Sequence, residues 1–311
     1  MLVFRTYEVS DIAEYLAYLQ EANHDNPDFV SVDQPDALAH LLVKAPAYRR
    51  LGHFLGVEGD RIVADAVAMA RRIGGHAVGF VQWNALPDHR DAETFDGLLA
   101  RCLAYLSGKA SEARLILRPE HAAAGDIVAG RGFARVGSVA RLVSSAARAR
   151  STRPVRALQM EDVEAVSAIL SRAIEDEPLF TLVPIEGPFG MAVRREPASG
   201  AYFVAERDDR PVGAVGVGIR GEVGILDFLV VDPDYRRAGV GSSLLATGLF
   251  WMSQRGCARA FAVADPANDP AAELYRRFGF SPEEPEWRVV YERATEAGAT
   301  GPSPDATPGP A

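Results

Sequence analysis

The sequence predicts an α/β protein, of the α+β mixed-sheet kind, built as two tandem copies of one unit. Three observations carry this. The chain has 311 residues, 48% of them hydrophobic and 24% charged, which suits one large domain or two of about 150 residues with packed cores. Similar stretches recur in the same order along the chain. Each copy then runs through the same alternation of short strands and amphipathic helices.

The repeat is read from five matches. Phe4-Arg5-Thr6-Tyr7 with Asp11-Ile12 answers to Val155-Arg156-Ala157-Leu158 with Asp162-Val163, an offset of 151. Pro27-Asp28-Phe29 and Pro178-Leu179-Phe180 keep that offset. Phe54, Asp60-Arg61 and Val63 match Phe203, Asp209-Arg210 and Val212 at 149. Pro87-Asp88-His89-Arg90 matches Pro233-Asp234-Tyr235-Arg236 at 146, and Gly132-Phe133 matches Gly279-Phe280 at 147. Offsets that drift only by small indels predict a duplication, with domains at 1–150 and 151–293 and a boundary near Ala146–Arg153.

In each copy a short strand precedes a helix, Asp11–Leu19 in the first and Asp162–Ile174 in the second. The second shows a helical period in Val163, Val166, Ile169, Leu170 and Ile174. A polar loop follows, then strands Ala201–Glu206, Pro211–Ile219 and Val223–Val231, with Asp208-Asp209 as the first turn. The last of these, VGILDFLVV, reads as a central strand buried on both faces. A helix over Gly241–Arg255 stops at Gly256. Strand Ala258–Ala264, helix Pro270–Phe278 and strand Trp287–Glu292 close the copy. Residues 294–311, rich in Gly, Pro, Ala and Thr, predict a disordered tail.

Composition excludes several function classes. The net charge of −9 and pI near 5.3 give no pull toward nucleic acid or anionic membrane. Two cysteines, Cys102 and Cys257, are too few for a disulfide framework or a Cys-based zinc site, so no metal is expected. No apolar run reaches 18 residues and the first residues lack a basic n-region, which predicts a soluble, cytoplasmic protein.

The most informative stretch is Val231-Asp232-Pro233-Asp234-Tyr235-Arg236-Arg237-Ala238-Gly239-Val240-Gly241-Ser242, joining an apolar strand to an apolar helix. Gly239 and Gly241 permit close backbone approach, and the amides at a helix start form a ready anion site. Arg236 and Arg237 add positive charge, so a phosphate-bearing ligand is expected. There is no Walker A lysine and no G-x-G-x-x-G, which removes the P-loop and dinucleotide readings. After the next strand comes Asn268-Asp269-Pro270-Ala271-Ala272-Glu273-Leu274-Tyr275-Arg276-Arg277-Phe278-Gly279-Phe280.

Together, the V-x-P-x-x-R-x-x-G-x-G and N-x-x-A-x-x-L-Y-x-x-x-G-F segments resemble the GCN5-related N-acetyltransferase (GNAT) superfamily, over about residues 155–293. The resemblance implies tandem GNAT-like domains, each a twisted, mixed, mostly antiparallel sheet flanked by helices. It implies acetyl-CoA as co-substrate, its pyrophosphate held around Arg236, Arg237, Ala238, Gly239, Val240, Gly241 and Ser242. Val230 and Val231 would line the pantetheine arm through their backbone, and Asn268 would contact that arm. Tyr275 would protonate the departing thiolate. Asp227, or more weakly Glu222, would deprotonate the amine; the alternative for Asp227 is a carboxylate facing solvent. A neutral amine would attack the thioester directly, without an acyl-enzyme. Cys257 reads as structural.

The acceptor side is less defined. Glu175-Asp176-Glu177 follows the first helix of the second copy. Residues from 151 on carry 16 basic and 24 acidic side chains, against 17 and 18 before. That excess favours a small cationic amine. Trp251 and Trp287 are pocket or packing residues. In the first copy Asp91, Glu93 and Phe95 stand at the Arg237, Gly239 and Gly241 positions, and His121 and Val128 at those of Asn268 and Tyr275. That copy is therefore expected to fold without catalysing. The alternatives are a mycothiol-synthase-like reaction, acetylation of a protein or peptide amine, and a non-catalytic acyl-CoA-binding regulatory module. The chain is expected to be a monomer or homodimer.

Overall fold

The computed structural model describes residues 1–22, 52–73, 76–118, 121, 124–145, 154–176, 200–220 and 222–294. The chain divides into two compact units, Met1–Val136 with the segment from Tyr291 on, and Gly137–Val290.

The first unit contains β1 (Leu2–Thr6), α1 (Ile12–Ala22), β2 (Gly52–Glu58), β3 (Arg61–Ile73), β4 (His76–Ala85), α2 (Ala92–Leu106), β5 (Glu112–Leu117) and α3 (Gly125–Gly130). Its strands lie in the order β1-β2-β3-β4-β5, antiparallel except for the parallel β4–β5 pair. One face carries α2, whose Phe95, Leu98, Leu99, Cys102 and Leu106 are buried with Ala66, Val81 and Leu115. The other carries α1, with Tyr15, Tyr18 and Ala22 packed on Leu55, Val57 and Ile62.

The second unit repeats the plan with β7 (Val155–Ala157), α4 (Val163–Asp176), β8 (Gly200–Arg207), β9 (Arg210–Arg220), β10 (Val223–Val231), α5 (Val240–Ser253), β11 (Arg259–Ala264) and α6 (Asp269–Arg277). Its order is β6-β11-β10-β9-β8-β7, with β10–β11 parallel and β6 (Ala134–Ser145) antiparallel to β11. Helix α5 buries Leu244, Leu245, Leu249 and Met252 on one face. Helix α4 buries Val166, Ile169, Leu170 and Ala173 on the other, the helical period the sequence shows. The expected turn at Asp208-Asp209 is present, both residues left-handed at φ 51° and 58°, as a two-residue type I′ hairpin requires.

A duplicated device opens each unit. Arg5 donates two hydrogen bonds of 2.7 Å to Asp11, and Arg156 donates at 2.6 and 2.9 Å to Asp162. Each aspartate also accepts from a backbone N–H, that of Glu8 or Gln159, fixing the 3-10 turn ahead of the helix.

The units differ from domains at 1–150 and 151–293. From Gly137 on, β6 belongs to the second unit, pairing from Ala140 to Ser145 with β11. The end of β12 (Ser281–Ala294) belongs to the first. There Tyr291 packs against the core holding Val128 and Phe133, Glu292 accepts from Arg114 at 2.9 Å, and Arg293 donates to the Arg131 carbonyl at 2.8 Å. These are equivalent strands of the two copies. A sheet edge is satisfied by either. The linker at 146–153 and the tail beyond Ala294 lie outside the described residues.

Candidate active site

The loop between β10 and α5 ends in a helix N-terminus without a side-chain cap. Asp232 accepts from the Asp234 N–H at 3.0 Å and caps the 3-10 turn Pro233–Tyr235. Arg236 is then extended, Arg237 is left-handed at φ 62°, and Gly239 is left-handed at φ 80°. A left-handed arginine is strained by about 1 kcal/mol, whereas glycine adopts that region freely. Gly239 is the N-cap of α5 and provides no side-chain cap, so the amides of Val240, Gly241 and Ser242 present the positive end of the helix dipole. Arg236 and Arg237 are exposed beside them.

Arg172 on α4 braces this loop. It donates to both oxygens of Asp232 and to Asp234 Oδ2, each at 3.0 Å. Sequence reasoning missed it, because an arginine on a helix's polar face gives no local signal of a distant partner.

Strand β10 is not a regular strand. Its ladder with β9 pairs Leu226 with Val217 and Phe228 with Gly216, leaving Asp227 as the extra residue of a β-bulge. The faces show the consequence. Leu226 lies in the α5 core, whereas Phe228 and Val230 lie in the α4 core. In a regular strand 226 and 228 would share a face. Leu229 and Val231 return to the α5 side. The parallel ladder to β11 covers Val223–Ile225 opposite Arg259–Phe261 and stops there. From the bulge onward, the β10 edge toward β11 lies outside that ladder and runs to the anion loop. Asp227 is exposed at the bulge, and Glu222 is exposed just before the strand.

Helix α6 stands on the α5 side. Tyr275 is buried, 7% exposed, in the cluster that holds Val240, Leu226 and Phe280, and Tyr235, Ala238, Leu229, Val231, Ala271 and Leu274 pack against it. Its ring meets Phe280 edge-on at 5.4 Å. A Cβ added to Gly241 would lie 3.3 Å from Leu274 Cδ2, so bare backbone fits that approach. Asn268 is the N-cap of α6, its Oδ1 accepting from the Ala271 N–H at 3.0 Å. This leaves its Nδ2 donors for another partner. The structure thus gathers Ala238, Val240, Val231, Leu229 and Tyr275 into one cluster. Val230 points its side chain to the opposite core, and Asp227 stands apart at the bulge.

Other expected residues fall elsewhere. Cys257 is buried, which pushes its thiol pKa up against the lowering effect of Arg255, as suits a packing residue. Trp251 lies under the Arg255 guanidinium at 3.9 Å. The side chains of Trp287, Glu175 and Asp176, and all of Glu177, lie outside the described residues. Among the described residues, no group of three His, Cys, Asp or Glu side chains could hold a metal ion, and no helix is long and apolar enough to cross a membrane.

Residues 168–280, spanning the bulge, the loop and α6, match the model of the Acetyltransferase (GNAT) family. This stretch, which lies within the second unit, is similar to the GNAT family. A mycothiol acetyltransferase of Thermobispora bispora is 31% identical over 132 residues, covering 39% of this chain and 43% of that protein. One of Saccharomonospora viridis is 26% identical over 257 residues, covering 73% and 80%. The chain thus matches less than half the length of the first of these. A tandem GNAT protein from the clavulanic acid biosynthesis pathway has the same fold, with a TM-score of 0.68 at 15% identity over 97% of this chain and 100% of that one.

The first unit shares the second unit's plan but differs at each of these features. Helix α2 caps itself: Asp91 accepts from the Thr94 N–H at 2.8 Å and from Thr94 Oγ1 at 3.1 Å. A carboxylate therefore stands where the second unit offers bare amides. Strand β4 has no bulge, its ladder with β3 running unbroken from Ala85 to His76, and it keeps four parallel pairs with β5. The Trp83 ring packs edge-on against Phe95 at 5.0 Å and His121 at 4.5 Å. Val128, the counterpart of Tyr275, is fully buried.

Proposed function

We propose that the second unit is an acetyl-CoA-dependent N-acetyltransferase that acts on a primary amine of a small cationic molecule. The observation that carries this reading is the bulge at Asp227, which ends the β10–β11 ladder and leaves a strand edge leading straight to an uncapped helix N-terminus. An extended arm that ends in a pyrophosphate suits that path.

Acetyl-CoA supplies the activated acyl group as a thioester. The amides around Gly239–Ser242, with Arg236 and Arg237, hold the pyrophosphate. The backbone of Val230 and Val231 pairs with the arm, and Asn268 reaches it through Nδ2. Asp227 takes a proton from the amine, whose nitrogen attacks the acyl carbon. The new C–N bond forms as the C–S bond breaks, and the Tyr275 phenol protonates the departing sulfur. Both groups then exchange protons with water. The cationic acceptor is supported by the acidic excess of residues 151–311, with 24 acidic against 16 basic side chains. The names of the relatives favour a second reading of the acceptor, a mycothiol-type thiol precursor. In either case the first unit is a GNAT-like scaffold that does not catalyse.

The test is thiol release from acetyl-CoA across polyamines, amino sugars, cysteinyl amines and peptide N-termini. Turnover on one of these classes is expected, with kcat about 100-fold lower for Tyr275→Phe. Coenzyme binding without turnover on any amine would make the unit an acyl-CoA-binding module instead. Full activity of Tyr275→Phe would remove the phenol from the mechanism.

A further inference from the structure

We propose that Arg172 is a positioning residue that preorganises the anion loop and neutralises the two carboxylates at its start. This rests on the reading that residues 236–242 bind the coenzyme pyrophosphate. Asp232 and Asp234 are two carboxylates immediately ahead of a site for a dianion, an arrangement that by itself repels the ligand. Arg172 spans both, with two bonds to Asp232 and one to Asp234 at 3.0 Å. Asp232 in turn caps the turn that leads into left-handed Arg237 and Gly239. The guanidinium therefore holds the loop's starting geometry and cancels charge at its mouth.

The two copies provide an internal comparison. At the offsets of the repeat, Glu21 stands where the second unit has Arg172, and Leu86 where it has Asp232. Leu86 begins its turn without a side-chain cap. The first unit's loop is tied instead by its own Arg90, the counterpart of Arg236, which donates to the carbonyls of Ala85 at 3.2 Å and Ala22 at 3.5 Å. So the brace from the helix occurs where the helix N-terminus is left open. Where Asp91 closes it, the loop arginine is spent on the fold.

The Arg172 side chain is 47% exposed, Asp232 13% and Asp234 72%. An ion pair this accessible adds little to global stability, so a purely structural role predicts almost no effect of its loss. The positioning role predicts a specific one. Calorimetric binding of CoA and hydrogen exchange at the amides of residues 236–242 are measured on the full chain. For Arg172→Met, the expected results are faster exchange of those amides without ligand and CoA binding about 3- to 10-fold weaker. In steady state the KM for acetyl-CoA rises, while kcat and the KM for the amine stay as in the wild type. Arg172→Lys lies between, because it keeps the charge and loses the fork. Arg61→Met, which removes the exposed Arg61–Glu21 pair of the first unit, changes none of these. Unchanged CoA affinity and exchange in Arg172→Met overturn the proposal, as does a fall in kcat at constant affinity. Should Arg172→Met not fold, the same readouts on Arg172→Lys decide it. A wild-type protein that binds no CoA removes the coenzyme reading and this inference with it, whereas equal binding by both proteins removes only the inference.

Discussion

Asp227 can be deleted as well as substituted, and the two changes separate shape from chemistry. It is the extra residue between the Leu226–Val217 and Phe228–Gly216 pairs. Removing it leaves those pairs, and Val230–Ala214 beyond them, in register. Leu226 and Phe228 become neighbours on opposite faces of a regular strand, the faces they already occupy in the α5 and α4 cores. The deletion therefore keeps both cores and removes the bend that ends the β10–β11 ladder. With the bend gone, β10 zips onto β11 past Ile225 and the edge offered to the pantetheine arm closes. Two backbone hydrogen bonds at about 1 kcal/mol each, plus lost shape fit, put the cost at about 2–3 kcal/mol, or roughly 30- to 150-fold in Kd. New ladder bonds compensate in the free protein, so its Tm should fall by no more than about 4 °C. Asp227→Asn is the counterpart. It keeps the bulge and binds CoA like the wild type, but loses about 100-fold or more in kcat if the carboxylate takes the proton. Calorimetry with CoA and thiol release from acetyl-CoA read the two effects separately. Wild-type CoA affinity in the deletion would refute the argument that the bulge opens the strand edge. Wild-type kcat in Asp227→Asn would refute the base.

Two further predictions concern the scaffold. The Arg156 hydrogen bonds hold the Asp162 carboxyl below its usual pKa, so the unfolded chain binds that proton more readily. Its stabilising contribution is therefore complete above about pH 4, the unfolded value, and is lost as pH falls through the lower folded value. Asp162→Asn should cost about 1–3 kcal/mol at neutral pH and flatten the acid limb of a Tm-against-pH profile, and an unchanged profile would refute the assignment. Asp91→Ala should cost about 0.5–2 kcal/mol through the lost cap of α2. Because Trp83, Phe95 and His121 still fill the equivalent region of the first unit, CoA stoichiometry by calorimetry should stay at one per chain.

Much of this fold is legible in the sequence wherever a local rule has a local partner. Arg5 with Asp11 and Arg156 with Asp162 sit six residues apart in both copies, so the repeat carries its own chemistry. Asp208-Asp209 reads as a turn because few residues tolerate two left-handed positions. The unit to which the ends of β6 and β12 belong leaves no such trace: the two strands read alike, and pairing between distant segments is a tertiary choice. The bulge is hidden for a related reason. VGILDFLVV reads as one apolar strand, and its single aspartate signals a cost without saying that the ladder shifts there. Asn268 shows a residue with two readings. Asn-Asp-Pro at a helix start is a capping signature, and the structure gives Asn268 that role toward Ala271, whereas the family motif directs attention to a ligand.

The comparison between the two units also says what an anion site demands of its fold. A helix N-terminus is stabilised by a side-chain oxygen, and α2 takes that option with Asp91. Helix α5 forgoes it. Its N-cap is Gly239, the residue before the preceding alanine is a left-handed arginine, and no side-chain acceptor caps its first turn. With glycine as N-cap, forgoing a side-chain cap costs roughly 0.3 kcal/mol, and the strain at Arg237 adds about 1 kcal/mol. Neither is needed to join β10 to α5, since the first unit makes the same connection without them. The unit compensates with its core, where Leu244, Leu245, Leu249 and Met252 are fully buried along the same helix, and with the Arg172 brace at the loop's start. Free energy gained by burial along α5 thus supports a helix tip that lacks a side-chain cap. That is the arrangement expected of a helix kept to receive an anion, and its absence from α2 is what separates the two copies.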